Sequence, residues 1–125
     1  MYVLEQSLPR LTEIPGIAHT TWAGATDGLQ QLSVWRQRLA PGAATPPHRH
    51  DCDEFVLCLA GQGRVQVGEQ LLDFDASRFL LLPAGQTHQI FSAGPEPLEL
   101  LAVFGQTPVP TLAPTGEALA LPWRS

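Results

Sequence analysis

The chain has 125 residues, 44% of them hydrophobic and 15% charged, a balance that excludes a disordered chain and fits one domain with its own core. Its 11 Gly and 12 Pro are too many breaks for a helical bundle. Net charge is −5, with no Lys for a Schiff base or a phosphate loop and no basic cluster for nucleic acid.

Short apolar segments follow one another, separated by turn signals. Strands are expected over 17–23, 29–39, 54–60, 64–67, 70–74, 78–82, 88–91 and 98–104. The breaks hold Ala40-Pro41-Gly42, Gly61-Gln62-Gly63, Gly68-Glu69, Pro83-Ala84-Gly85 and Ala93-Gly94-Pro95. Many short strands at regular spacing read as an all-β sandwich or barrel. After the last strand an arm stiffened by Pro108, Pro110, Pro114 and Pro122 is expected to be extended, with one turn of helix within 112–120. The longest apolar runs, 55–60 and 79–82, fall far short of the ~18 residues that cross a bilayer. Residues 1–10 lack a basic stretch followed by an apolar one, so Cys52 and Cys58 are expected as reduced thiols in a cytoplasm.

The chemistry gathers on three histidines and a carboxylate. His48 and His50 are two apart, so in an extended chain both imidazoles point to one side and can share one metal ion. Glu54 returns to that side if Asp51-Cys52-Asp53 makes a tight bend. His88 lies forty residues beyond His48 and joins them only if a barrel closes. Three imidazoles and one carboxylate form a mixed nitrogen and oxygen set suited to iron, manganese, nickel, copper or zinc. His19, alone in its strand, reads as structural, and Cys52 is kept as a thiol near the centre.

Gly42, His48, His50, Glu54 and Gly61 fit the spacing G(X)5HXH(X)3-4E(X)6G without a break, and this resembles the first motif of the cupin superfamily. Pro83, Gly85 and His88 match the second, G(X)5PXG(X)2H(X)3N, with Ser77 and Ser92 in place of its leading Gly and final Asn. The resemblance implies a jelly-roll, double-stranded β-helix barrel. It spans the whole chain, 1–125, as one domain: N-terminal strands in 1–41, a motif core at 42–92, and a last strand and arm in 93–125. It implies one divalent transition metal ion per chain, held by His48, His50, Glu54 and His88, with Glu54 also a candidate base. Open coordination positions separate a catalytic metal from a structural one.

Strand alternation sorts the remaining candidates. Val56, Cys58 and Ala60 share Glu54's parity and are expected to face the interior, and Ile90 shares that of His88. Phe55, Leu57 and Leu59 form a second face too apolar for water, which expects cover from another sheet or another subunit. Since many cupins are dimers, a homodimer is expected. Trp35 and Gln37 lie on one face of their strand, Arg36 and Arg38 on the other; a pocket Arg would suit an anionic substrate. The expected pocket is Trp35, Gln37, Val56, Cys58 and Ile90 around the metal. The leading functional expectation is a metal-dependent enzyme of dioxygenase type acting on a small organic molecule. The alternatives are an isomerase or lyase on an oxygenated acid or sugar, and a non-catalytic small-molecule or metal sensor. Metal affinity is expected to fall as pH drops through about 6.5, the ordinary His value, or lower if the metal competes strongly.

Overall fold

The computed structural model describes residues 2–7 and 9–123, so the last two residues of the expected arm lie outside the described part. It contains β1 (Leu11–Ile14), β2 (Ile17–Ala23), a 3-10 turn (Ala25–Asp27), β3 (Ser33–Leu39), β4 (Arg49–His50), β5 (Glu54–Ala60) and β6 (Gln62–Val67). There follow β7 (Gln70–Asp75), β8 (Phe79–Leu82), β9 (His88–Ser92), β10 (Leu98–Phe104) and β11 (Thr111–Leu112). Among the described residues no helix is long and apolar enough to cross a membrane.

Six strands form one antiparallel sheet in the order β1-β2-β3-β10-β5-β8. The opposing layer is β7-β6-β9, continued by residues 44–50, which run against β9 through Ala44↔Phe91 and His48↔His88, and closed by β11 on β4. This is the all-β jelly roll expected from the sequence.

Alternation along β10 shows how the core forms. Leu98, Leu100, Ala102 and Phe104 are buried, while Glu99, Leu101 and Val103 between them face outward. Beside them Val56 and Cys58 on β5 and Trp35 and Leu39 on β3 point inward, with Val65, Phe74 and Ile90 from the facing layer. Arg36 and Arg38 take the outer face of β3. There Arg36 lies 3.9 Å from Glu99 and over the Trp22 ring, so neither arginine reaches the interior.

Among the described residues the second face of β5 is left partly uncovered. Phe55 and Leu59 remain over a third exposed, and on edge strand β8 Phe79 and Leu81 are 57% and 70% exposed. Phe55 pairs across with Leu81, Leu57 with Phe79, and the Phe55 and Phe79 rings stack. The chain's own second sheet therefore does not satisfy the expectation of cover.

Three local expectations are corrected. The strand expected over 29–39 starts at Ser33, because Leu29 and Leu32 find no partner strand and stay exposed. β1 was not expected; it pairs with β2 across the Pro15-Gly16 turn, where Gly16 has φ +79°. No helical turn forms within 112–120: the chain reverses there instead, with Leu112 bridged to Ala118.

Candidate metal centre

The barrel closes where the sequence requires it. His48 and His88 are direct cross-strand neighbours, each amide donating to the other's carbonyl at 3.0 and 2.8 Å. Residues opposed in this way carry their side chains on one face. His50, two residues on, shares that face. The bend Asp51-Cys52-Asp53 then carries the chain to the large sheet. It is held by Gly105 N donating to Asp53 O, Ala84 N to Asp53 Oδ1, and Gly85 N to His50 O. Glu54 opens β5 directly below the histidines.

One nitrogen of each imidazole falls within 4.8 Å of one of the others'. Glu54 Oε1 lies 3.5 Å from His50 Nε2 and 3.3 Å from His88 Nε2. All four residues are buried. Each Nδ1 faces a backbone carbonyl: His48 that of Pro46 (2.7 Å), His50 that of Pro110 (3.0 Å), His88 that of Gln86 (3.0 Å). A carbonyl only accepts, so each Nδ1 carries the proton and each Nε2 presents a lone pair inward. Burial pushes His48 down to about 4, helped by the neighbouring His88 imidazole and opposed by the Pro46 carbonyl. Burial likewise pushes His50 down to about 4, against the Pro110 carbonyl. His48 and His50 are thus neutral rings with inward lone pairs.

This arrangement leaves acceptors facing acceptors. His50 Nε2, His88 Nε2 and Glu54 Oε1 are buried with no hydrogen-bond donor. One such orphan is costly and three together are rare in a folded protein. A shared cation resolves all of them, and nitrogen lone pairs beside a carboxylate suit a divalent transition metal. The three-histidine group can hold a metal, and the residues fit one.

Above the centre is a cavity walled by Trp35, Val56, Ile90, Leu100, Ala102 and Ile17. Gln37 and Thr45 supply polar atoms. Gln37 Nε2 is turned to His19 Nδ1, and Thr45 Oγ1 accepts from Ile90 N. Thr111, Leu119 and Leu121 complete the lining of this space. Of the pocket expected from the sequence, Trp35, Gln37, Val56 and Ile90 line this cavity. Cys58 does not: its Sγ points to the carbonyls of Ala60 and Gly61 at the far end of β5. Cys52 is buried, and desolvation with the Glu54 carboxylate pushes its thiol up to about 11, so it stays protonated. His19 is structural, bonded to Thr21 Oγ1 and Gln37.

Sequence reasoning missed the roof. Thr111, Leu119, Leu121 and Trp123, all beyond β10, close the cavity opposite the sheet. The apolar Leu121-Pro122-Trp123 was a signal that this stretch docks; where it docks depends on contacts that no local pattern carries.

An antiparallel barrel with an inward histidine cluster at the base of an apolar cavity defines a class of metal-centred β-barrels. The family model of the cupin domain matches residues 35–104, and the chain belongs to that family. Among curated proteins it is similar to auxin-binding protein 1 of Arabidopsis thaliana, 31% identical over 105 residues, covering 76% of this chain and 53% of the relative. It is also similar to auxin-binding protein T85 of Nicotiana tabacum, 35% identical over 107 residues, covering 75% of this chain and 57% of the relative. The chain thus spans about half the length of the curated relatives it matches. Among solved structures it resembles oxalate decarboxylase from Bacillus subtilis at pH 4.6, with TM-score 0.74, 22% identity, and cover of 81% of this chain and 28% of that one. A form of that enzyme studied for its Mn(II) centres matches with TM-score 0.75, 21% identity and cover of 82% and 28%. These structural likenesses show the fold.

Proposed function

We propose that this cupin binds a small, largely apolar organic acid through a divalent transition metal held by His48, His50, His88 and Glu54. The observation that carries the reading is the polarity of the cavity. Its metal-binding groups lie at one end, its walls are aliphatic and aromatic, and among the described residues no Lys or Arg lines it. An acid group would therefore find its positive partner in the metal, which supplies Lewis acidity when bound. The chain's own residues orient the ligand: Trp35 and Ile90 flank its apolar body, and the buried walls exclude water. The relatives named as auxin-binding proteins support a ligand-binding reading. The test is calorimetry of zinc-loaded and chelated protein with indole-3-acetate, benzoate and octanoate. Binding that needs zinc and is lost with the uncharged amide of each probe supports the reading; equal binding without zinc overturns it.

Turnover of dioxygenase type is the second reading, favoured by a centre with few protein ligands. Glu54 is its candidate base, its carboxylate standing 3.5 Å from His50 and 3.3 Å from His88. Oxygen uptake by iron- or manganese-loaded protein with the same acids supports it, and product formation without uptake points to lyase or isomerase chemistry instead.

We further propose a homodimer through the outer face of β5 and β8, supported by the uncovered Phe55, Phe79 and Leu81. Sedimentation of Leu81→Glu should give a monomer; an unchanged value overturns it. Two unpaired, buried thiols support assignment to a reducing cytoplasm.

A further inference from the structure

The three imidazoles are not oriented in the same way. His48 and His88 each rest Nδ1 on the carbonyl two residues earlier in their own segment, Pro46 and Gln86. Their ring directions are set locally. His50 instead rests on Pro110, sixty residues away on the segment that roofs the cavity, with Thr111 Oγ1 at 3.3 Å from the same nitrogen. That strap is laid against the centre by Thr111↔His50 and Leu112↔Arg49. Its far end seats Trp123 flat on the buried His19 ring, 3.6 Å between centroids. Trp35 stands edge-on to Trp123 and to His50, so one aromatic column joins both ends of the strap. The seat is imperfect: Trp123 Nε1 is buried without a hydrogen-bond partner, which favours its release.

We propose that strap docking and metal binding are coupled, with the Pro110 carbonyl as the positioning group that holds His50 in its metal-ready tautomer. The proposal rests on the metal reading above. When the strap lifts, His50 loses its acceptor, and its ring is free to turn or to move its proton to Nε2, where a metal cannot bind. Two ligands stay set while the third depends on the strap. By linkage, metal must hold the strap down by the same factor that the strap strengthens metal binding. Thr111, Leu119, Leu121 and Trp123 of the strap line the cavity, so ligand access and metal retention draw on the same movement.

The experiment measures Zn2+ affinity and amide exchange on the full chain. Trp123→Ala should weaken Zn2+ by about 10- to 100-fold, the usual effect of losing support behind a ligand. Trp22→Ala, on the outer face, should leave it unchanged. In the native protein Zn2+ should slow exchange at the Leu119 amide, which donates to Thr111 O within the strap. The His50 Nδ1–H signal should persist with zinc and broaden in Trp123→Ala. Leu119→Ala, milder, should show the same direction if Trp123→Ala fails to fold. Zinc bound one to one with equal affinity in native and strap variants, and strap exchange indifferent to zinc, overturn the coupling alone. No zinc bound by the native chain overturns the site reading and the coupling with it.

Discussion

His19 is fully buried, stacked between Trp123 and the edge of Trp35, and burial pushes it down to about 3 from an ordinary 6.5. Its folded value is depressed, so its contribution to stability is whole above pH 6.5, shrinks as pH falls, and is gone below about 3. Each pH unit in that window costs about 1.4 kcal/mol per such group. Between pH 7.5 and 4.5 the unfolded chain gains a proton that the folded chain refuses, a loss of about 3 kcal/mol. Against a typical total of ~5–15 kcal/mol this is a large share. Replacing His19 by Gln removes the titration while retaining an amide for Thr21 and Gln37. Urea unfolding with EDTA present, at both pH values, is the assay. The native protein should lead at pH 7.5, and its lead should narrow by about 3 kcal/mol at pH 4.5. The metal-centre residues are the same in both proteins, so their contribution cancels in that difference. A lead independent of pH, for Gln and for a ring-preserving His19→Phe alike, would refute the reasoning.

His50→Ala should abolish stoichiometric metal binding, whereas Glu54→Gln, which keeps three nitrogens, should retain one ion at about tenfold lower affinity or worse; metal analysis after dialysis checks both. Because His48 and His50 are held near 4, protons should not compete with metal until pH falls toward that value. Proton competition from these two rings should appear only as pH approaches about 4, and loss of their neutral form well above that value would show that the folded site does not desolvate them. Gly61→Ala should cost about 3 kcal/mol by thermal or urea unfolding, because a Cβ would stand 2.4 Å from Pro97 O at a residue with φ +88°.

Much of this was legible because alternation and turn chemistry are local. The bounds of β2, β5 and β10 follow from runs of alternating apolar residues between glycines and prolines. The inward parity of Val56 and Ile90 follows from Glu54 and His88. β4 was not legible because two residues in a Pro-Pro-His-Arg-His stretch carry no strand signal; it exists through pairing with β11. β1 was hidden between Pro9 and Pro15. The convergence of His48 with His88 required a topology, which the motif spacing supplied. The roof formed by Leu119, Leu121 and Trp123 required tertiary contacts with no periodic trace, and the same holds for the role of Pro110. Cys58 shows the limit of parity: it faces inward as Val56 does, yet it lies too far along β5 to reach the cavity.

Edge strand β8 is four residues of Phe and Leu with a free outer flank, a composition that invites further chains to add on as new strands. Arg78 and Pro83, both exposed, sit immediately before and after it. A charge at one end and a residue without an amide hydrogen at the other act as gatekeepers, limiting any such addition to the length of the strand between them. Replacing either guard would leave the barrel's interior untouched and lengthen a sticky margin open to fibre growth.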